Sequence, residues 1–239
     1  MLAGNYFEIK ANTHYNEREV MEMKIEVWSD FVCPFCYIGK RRLEEALQKA
    51  GFESQAEVEF KSFELDPTSP KTSDKSMVEV LAEKYGQSVE AAKQMTAGVA
   101  EQAKTVGLNY NFDDMKPANT LDAHRLVKWA SDQGKAKEAN ELLLHAYFIE
   151  AKEIGKHEVL LDLIESLGLS REEAEKVLNS DDYLTEVRLD IARAGQIGVR
   201  GVPFFVLNDK YAISGAQPLE SFIGALNKVA EEEGISPAQ

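Results

Sequence analysis

Extended segments lie only near the two ends of this chain, and that order limits its fold more than any other feature. Lys24–Trp28 alternates apolar and polar side chains, which predicts a strand. A helical pattern then runs from Cys33 to Ala50 with Lys40 on its polar face, stops at Gly51, and is followed by a second alternating stretch, Val58–Ser62. These segments predict a strand–helix–strand unit.

Helical patterns fill the middle of the chain, and strand patterns return only late. From about Ser73 to Arg193 nearly every segment is compatible with a helix, and Ser76 and Glu79 have the spacing of a capping box. Pro203–Leu207 and Lys210–Ile213 then predict a hairpin, and an amphipathic helix follows it.

We predict from this order an α/β protein whose sheet is completed from both ends of the chain. Residues 23–68 and 194–239 form the sheet-containing domain, and residues 69–193 form a large all-helical domain inserted between its β-α-β and β-β-α halves. Residues 1–22 show no clear period, so we predict an N-terminal tail or accessory segment there.

The charge balance argues against one class of partner. The 239 residues carry 27 Lys and Arg against 41 Asp and Glu, a formal net charge of −14, which repels a phosphate backbone. No apolar stretch approaches the ~20 residues of a membrane span, and the N-terminus has neither the basic nor the apolar region of a secretory signal. We therefore predict a cytoplasmic protein that binds neither nucleic acid nor a membrane.

The two cysteines of the chain, Cys33 and Cys36, are three residues apart at the start of the first predicted helix. There the helix dipole and unpaired N–H groups stabilise a thiolate on Cys33, and the thiolate is the nucleophile. Cys36 lies on the same helical face and can resolve a mixed disulfide. Pro34 fits the first helical position because no hydrogen bond is lost there. This spacing favours a redox-active dithiol.

Two other uses of the cysteine pair stay open at this point. A structural zinc ion needs four ligands, and no close pair at the usual spacing exists among the four histidines, which are His14, His124, His145 and His157. We therefore predict no metal ion. A buried, inert pair of cysteines is the second alternative.

Five motifs, in the same order along the chain, resemble those of the DsbA-like thiol–disulfide oxidoreductases, and of the cytoplasmic FrnE-like branch in particular. The motifs span Ser29–Gly39, Phe63–Pro67, Asn119–Leu126, Gly198–Phe205 and Ile213–Gln217. The similarity extends from about Met23 to Ala230. It implies a thioredoxin fold with an inserted helical domain, which agrees with the order of elements that the residue patterns predict.

The resemblance also implies roles for particular residues. Cys33 is the expected nucleophile, Cys36 the resolving cysteine, and Pro203 a cis proline. The backbone of Val202 and Pro203, together with Pro34 and Phe35 between the cysteines, is expected to bind the substrate. From the residues alone, an ordinary trans proline that opens a strand stays an alternative for Pro203.

His124 lies in the third matching motif, on the predicted helical domain. One hypothesis makes it a substrate-binding residue that faces the thiols, where a positive charge would stabilise the thiolate. The other hypothesis is that His124 packs at the domain junction while Asn119 or Thr120 caps the helix. The sequence leaves both open.

We expect a protein dithiol–disulfide oxidoreductase that acts on protein or small-molecule disulfides without a bound cofactor, with glutathione or another thiol as redox partner. In the related 2-hydroxychromene-2-carboxylate isomerases and kappa-class glutathione transferases, serine commonly replaces the nucleophile, so Cys33 favours dithiol exchange. Two alternatives stay open, a glutathione-dependent isomerase or transferase and a chaperone-like binder of extended segments. The sequence predicts neither the direction of electron flow nor the substrate, and it leaves the oligomeric state, a dimer included, undecided.

Overall fold

The structure is a computed structural model that describes residues 6–8 and 23–238. Contacts divide the described residues into two compact units. The sheet unit comprises the described residues up to Ser29, together with Phe35–Lys61 and the segment from Arg193 onward, and the helical unit comprises Asp30–Pro34 and Ser62–Ala192. The domain limits given by the sequence stay a prediction, and no sequence pattern indicated that Asp30–Pro34 groups with the helical unit.

The strands form one five-stranded sheet within the described residues, in the order β1-β5-β4-β2-β3. They are β1 Phe7–Glu8, β2 Met23–Ser29, β3 Ala56–Ser62, β4 Phe204–Leu207 and β5 Tyr211–Ser214. β2 and β4 pair antiparallel with Val27 opposite Phe205, so the strand that leads to Cys33 lies beside the strand that follows Pro203. The predicted α/β class, with one sheet built from early and late segments, is confirmed.

Nine helices lie in the described part of the chain. They are α1 Pro34–Ala50, α2 Met77–Tyr85, α3 Val89–Lys104, α4 Leu121–Asp132, α5 Ala136–Phe148, α6 His157–Ser166, α7 Arg171–Leu178, α8 Leu184–Gln196 and α9 Leu219–Glu233. The seven helices from α2 to α8 fill the stretch between β3 and β4, as the helical patterns predicted. The predicted accessory segment at residues 1–22 lies outside the described residues apart from 6–8, and so does His14.

The core of the sheet unit combines apolar side chains of its strands and helices. Ile25 and Val27 of β2, Leu43 of α1, and Phe222 and Leu226 of α9 are each at most 2% exposed. Ile25 and Val27 share one face of β2 because side chains alternate along a strand. Burial of each such side chain contributes about 2 kcal/mol, so this core fixes α1 against the sheet.

The β4–β5 hairpin closes through a short turn of three residues, 208–210, between the paired residues Leu207 and Tyr211. Asn208 and Asp209 have positive φ angles of 46° and 53°. Left-handed backbone at both positions is the geometry of a type I′ turn, in which Asn and Asp are well tolerated. The side chain of Asn208 also accepts a 2.7 Å hydrogen bond from the N–H of Lys24 at the start of β2. The turn chemistry therefore agrees with the pairing of β4 beside β2.

Local capping signals position the helices. Ser76 and Glu79 form the predicted capping box at α2, with each side chain bonded to the other's backbone N–H. At α4, where Asn119 or Thr120 was predicted to cap the helix, Asn119 Oδ1 accepts from the N–H of Leu121 at 3.1 Å. The side chain of Thr120 makes no capping hydrogen bond.

The predicted exposure of Lys40 is wrong, because its side chain is only 8% exposed. Its ammonium pairs with Glu44 Oε1 at 2.5 Å, one helical turn further on, and Arg41 donates to Glu44 Oε2 at 2.7 Å. A lysine can bury its apolar stem while its charge stays paired. The polar pattern of α1 therefore did not reveal this burial.

None of the helices described is both long enough and apolar enough to traverse a lipid bilayer.

Candidate functional site

Cys33 and Cys36 lie at the N-terminal end of α1. The helix begins at Pro34, so Cys33 directly precedes it and Cys36 falls in its first turn. The N–H of Cys33 donates to the carbonyl oxygen of Asp30 at 3.1 Å, which closes a turn ahead of the helix. This position is one where unpaired N–H groups and the helix dipole favour a negative charge.

The residues around the thiols differ in how much surface they offer. Cys33 is 4% exposed and Cys36 is 2% exposed, whereas Phe35 between them is 37% exposed. Pro34 is half-buried. The apolar ring of Phe35 therefore offers accessible surface between two buried cysteines. Inert structural cysteines are buried in the same way, so burial alone does not distinguish a reactive pair from an inert one.

Pro203 packs against α1 one turn beyond Cys36. The Val202–Pro203 peptide bond is cis, Pro203 is buried and Val202 is half-buried. A Cβ atom on Gly39 would lie 2.9 Å from Cγ of Pro203, so only glycine lets the helix approach this closely. The carbonyl oxygen of Pro203 accepts from the N–H of Gly215 at 2.8 Å. The structure thus brings Pro203 beside the helix that carries Cys36, while the role of Val202 and Pro203 in substrate binding stays a prediction.

His124 is packed inside the helical unit. Its side chain is 5% exposed, and its ring centroid lies 4.6 Å from that of Phe31. The Nε2 atom lies 3.0 Å from the carbonyl oxygen of Phe63 and 3.4 Å from Asp30 Oδ1. Asp30 is 1% exposed, and its Oδ2 accepts from the N–H of Leu65 at 2.8 Å. These contacts fit a packing role for His124, and direct substrate binding by this residue stays a prediction.

Glu64 adds a third titratable group beside Asp30 and His124. Burial raises the pKa of the Glu64 carboxyl, His124 partly offsets the rise, and the carboxyls of Asp30 and Asp122 add to it. The sequence analysis gave Glu64 no role, although it lies inside one of the five motifs. Its proximity to Asp30 and His124 became visible only in the folded chain.

Tyr110 also contacts the Cys33 segment. Its hydroxyl donates to the carbonyl oxygen of Pro34 at 2.7 Å. Its ring stacks on Phe148, with centroids 4.6 Å apart and planes at 28°. Tyr110 lies in a loop between α3 and α4 and belongs to no motif, so no signal in the sequence could have singled it out.

Potential metal ligands are not clustered in the described ranges. Across residues 6–8 and 23–238, no group of three or more His, Cys, Asp or Glu side chains is arranged to hold a metal ion.

The family of the chain follows from comparison with known proteins. Residues 24–227 match the family described as the DSBA-like thioredoxin domain. This chain belongs to that family. The matched range contains all five motifs that carried the resemblance, which confirms the predicted relationship to the DsbA-like proteins and the thioredoxin-type fold.

Individual relatives agree with this assignment. A probable DsbA oxidoreductase from Streptomyces coelicolor is 37% identical, with a TM-score of 0.84 over 91% of this chain and 93% of the other. The uncharacterized protein YwbO of Bacillus subtilis is 28% identical over 209 residues, which cover 87% of this chain and 97% of YwbO. The cytosolic disulfide reductase DsbM of Pseudomonas aeruginosa, whose structure was solved with GSH, shares the fold at 15% identity and a TM-score of 0.57, over 87% of this chain and 96% of DsbM.

Proposed function

We propose that this protein is a thiol–disulfide oxidoreductase that uses Cys33 and Cys36 as a dithiol/disulfide pair. The observation that carries the proposal is the placement of two cysteines, three residues apart, at the N-terminus of α1 in a DSBA-like chain. We assign the nucleophile to Cys33, because it lies at the end of the helix, where the dipole stabilises a thiolate. Cys36 is the resolving cysteine.

In the reducing direction, the Cys33 thiolate attacks one sulfur of a substrate disulfide. The substrate S–S bond breaks, a Cys33–substrate bond forms, and the released sulfur takes up a proton. Cys36 then loses its proton and attacks the Cys33 sulfur, which forms the Cys33–Cys36 disulfide and releases the second substrate thiol with that proton. Two electrons and two protons pass to the substrate, and the same steps in reverse oxidise a dithiol.

Around the thiols, we assign the backbone of Val202 and Pro203 and the surface of Pro34 and Phe35 to binding the substrate chain. Their support is the exposed ring of Phe35 beside the cysteines and the close packing of Pro203 on the cysteine-bearing helix. We propose glutathione or another small thiol as the recycling partner. We also propose the FrnE-like branch and a cytoplasmic location, which fractionation of cells with an antibody against this protein would test.

The experiment is a redox equilibrium in graded mixtures of reduced and oxidised glutathione at neutral pH. Acid quenching, alkylation and mass measurement then count the free thiols, the glutathione adducts and the internal disulfides. We expect a reversible two-electron transition to the Cys33–Cys36 disulfide. The midpoint distinguishes an oxidant from a reductant, because potentials of such pairs span roughly −270 to −120 mV.

Two variants assign the roles of the cysteines. Cys36→Ser should stop at a stable glutathione adduct on Cys33, and Cys33→Ser should give neither an adduct at that position nor a disulfide. If the unmodified protein itself stops at an adduct, a glutathione-dependent enzyme becomes the better account, and turnover of such an enzyme would survive Cys36→Ala. If the thiols do not react at all, a binding function is favoured, with aggregation suppression unchanged in Cys33→Ser.

A further inference from the structure

The Cys33 turn is held at two points by side chains of the helical unit. The turn, Asp30–Pro34, groups with that unit rather than with the strand it follows. It is short, and the N–H of Cys33 donates to the carbonyl oxygen of Asp30 within it. Contacts from distant residues of the helical unit add to this local bond.

The first point of attachment is at the beginning of the turn. His124 of α4 stacks against Phe31 with ring centroids 4.6 Å apart, and its Nε2 lies 3.4 Å from Asp30 Oδ1. The same nitrogen lies 3.0 Å from the Phe63 carbonyl oxygen. All of these groups except Phe63 are at most 5% exposed, so water competes little for them.

The second point of attachment is at the end of the turn. The hydroxyl of Tyr110 donates to the Pro34 carbonyl at 2.7 Å, and the ring is itself held by Phe148 and by Phe112, whose centroid lies 5.6 Å away. Pro34 is the first residue of α1. A hydrogen bond at this carbonyl restrains the Pro34–Phe35 peptide plane, which is the second peptide plane after Cys33.

We propose that Tyr110 and His124 are positioning residues that pre-organise the Cys33 turn for closure of the disulfide with Cys36, an inference that rests on the proposed dithiol function. Disulfides tolerate a narrow geometry, with Cβ atoms about 3.5–4.5 Å apart and a torsion near ±90°. Restraints that hold the turn in advance remove part of the entropy that closure would otherwise cost. In this role the two side chains act through the turn and not directly on the reacting sulfurs.

Closure is a defined chemical step, and its equilibrium can be measured separately. In the first step Cys33 reacts with oxidised glutathione to give a mixed disulfide and one reduced glutathione. In the second, Cys36 displaces the bound glutathione, the mixed disulfide breaks, the Cys33–Cys36 bond forms, and a second reduced glutathione leaves. Pre-organisation of the turn acts on the second step, whereas a change in the reactivity of Cys33 acts on the first.

Tyr110→Phe is the decisive variant, because it removes the hydroxyl and keeps the stacked ring. The Pro34 carbonyl stays inside the helix, where it can accept a backbone N–H, so folding should survive. We expect the overall equilibrium constant for the disulfide to fall by about twofold to tenfold, the range of one net hydrogen bond. In a Cys36→Ser background, the constant for the first step should be unchanged by Tyr110→Phe.

Thr96→Val is the matched control. Thr96 is a buried residue of the helical unit, and its hydroxyl donates to a backbone carbonyl, that of Lys93, at 3.0 Å. Its substitution removes a side-chain hydrogen bond of the same kind and should leave the disulfide equilibrium unchanged. His124→Leu should lower the disulfide constant in the same way as Tyr110→Phe, and His124→Gln, which keeps an N–H donor, should restore part of it.

Each other outcome overturns the inference. An unchanged disulfide constant in Tyr110→Phe means that the hydroxyl only supports folding, whatever the His124 variants show. A parallel fall in the first step means that Tyr110 acts on Cys33 itself rather than on closure. If the unmodified protein forms no internal disulfide, the proposed function fails first, and that result is visible before any Tyr110 variant is made.

Discussion

The carboxylate of Asp122, 7% exposed, lies among three basic side chains of the helical unit. Its Oδ2 accepts from Lys71 Nζ at 2.7 Å and lies 2.8 Å from His157 Nε2, and its Oδ1 accepts from Arg125 at 2.9 Å. Burial alone would raise the pKa of Asp122, but hydrogen bonds from Lys71, His157 and Arg125 outweigh burial and lower it. The ionised form is therefore the one that the folded protein prefers.

We expect Asp122→Asn to lower the free energy of unfolding by about 2 to 4 kcal/mol at pH 7, because Arg125 then stays buried without its carboxylate. A lowered pKa in the folded state means that the stabilisation is present above the unfolded pKa of about 3.9 and is lost as pH falls through the folded value. The difference between the two proteins should thus narrow below about pH 4. Urea unfolding at a series of pH values measures it.

Glu172→Gln is the control for that measurement. The side chain of Glu172 is 80% exposed and pairs with Lys176 one turn away on α7. Exposed pairs of this kind contribute little, so its removal should change stability only slightly at any pH. A similar loss in both variants, or a loss in Asp122→Asn that does not depend on pH, would show that the charge on Asp122 is not what stabilises this part of the fold.

Within single helices, two glycines differ in whether the surrounding atoms leave room for a larger side chain. A Cβ atom on Gly39 of α1 would lie 2.9 Å from Pro203 Cγ and 3.1 Å from Phe205 Cζ. Gly98 in α3 has nothing within 4 Å of the same position. Helix propensity favours alanine over glycine at both places, so only the packing around them distinguishes the two substitutions.

We expect Gly39→Ala to destabilise the protein by about 1 to 3 kcal/mol, because the added methyl group forces α1 away from Pro203. Gly98→Ala should stabilise the protein by about 0.5 to 1 kcal/mol, because alanine loses less backbone entropy and nothing crowds it. Thermal and urea unfolding of the dithiol form measure both changes. Equal effects of the same sign would mean that the approach of Pro203 to α1 does not constrain position 39.

At the scale of the whole molecule, the net charge of −14 sets which partners can approach. The acidic excess produces a negative field that repels polyanions at long range and is screened over about 10 Å at 0.1 M salt. A protein of this charge would have to concentrate its 27 Lys and Arg on one face to bind DNA. Many of them instead pair with neighbouring carboxylates, as Lys71 does with Asp122 and Arg193 with Glu26.

We expect no binding to a fluorescently labelled DNA duplex at about 150 mM salt, and none at about 50 mM, where non-specific DNA binders gain affinity steeply. Fluorescence anisotropy with protein up to about 100 µM, the weak limit of non-specific binding, measures this. A saturable rise that weakens with added salt would show a basic surface that the overall charge conceals.

Features that depend on neighbours along the chain could be predicted from the residues alone. Alternating and helical periods located the strands and the helical block, because they reflect which face of an element is buried. The spacing of Cys33 and Cys36, with Pro34 between them, predicted a redox site at the N-terminus of a helix. This prediction was possible because capping and thiolate stabilisation both act within one turn. Ser76 and Glu79 likewise form the predicted capping box, whose bonds span only three residues.

The contacts between the cysteine segment and distant residues depend on the packing of the folded chain. Tyr110 reaches Pro34 across 76 positions of sequence, and His124 reaches Phe63 across 61. Such contacts produce no periodic pattern and no characteristic motif spacing in the sequence, because they form when helices and strands pack together. The burial of Lys40 was mispredicted for the same reason: a polar residue at a polar position carries no sign of what the fold places over its stem.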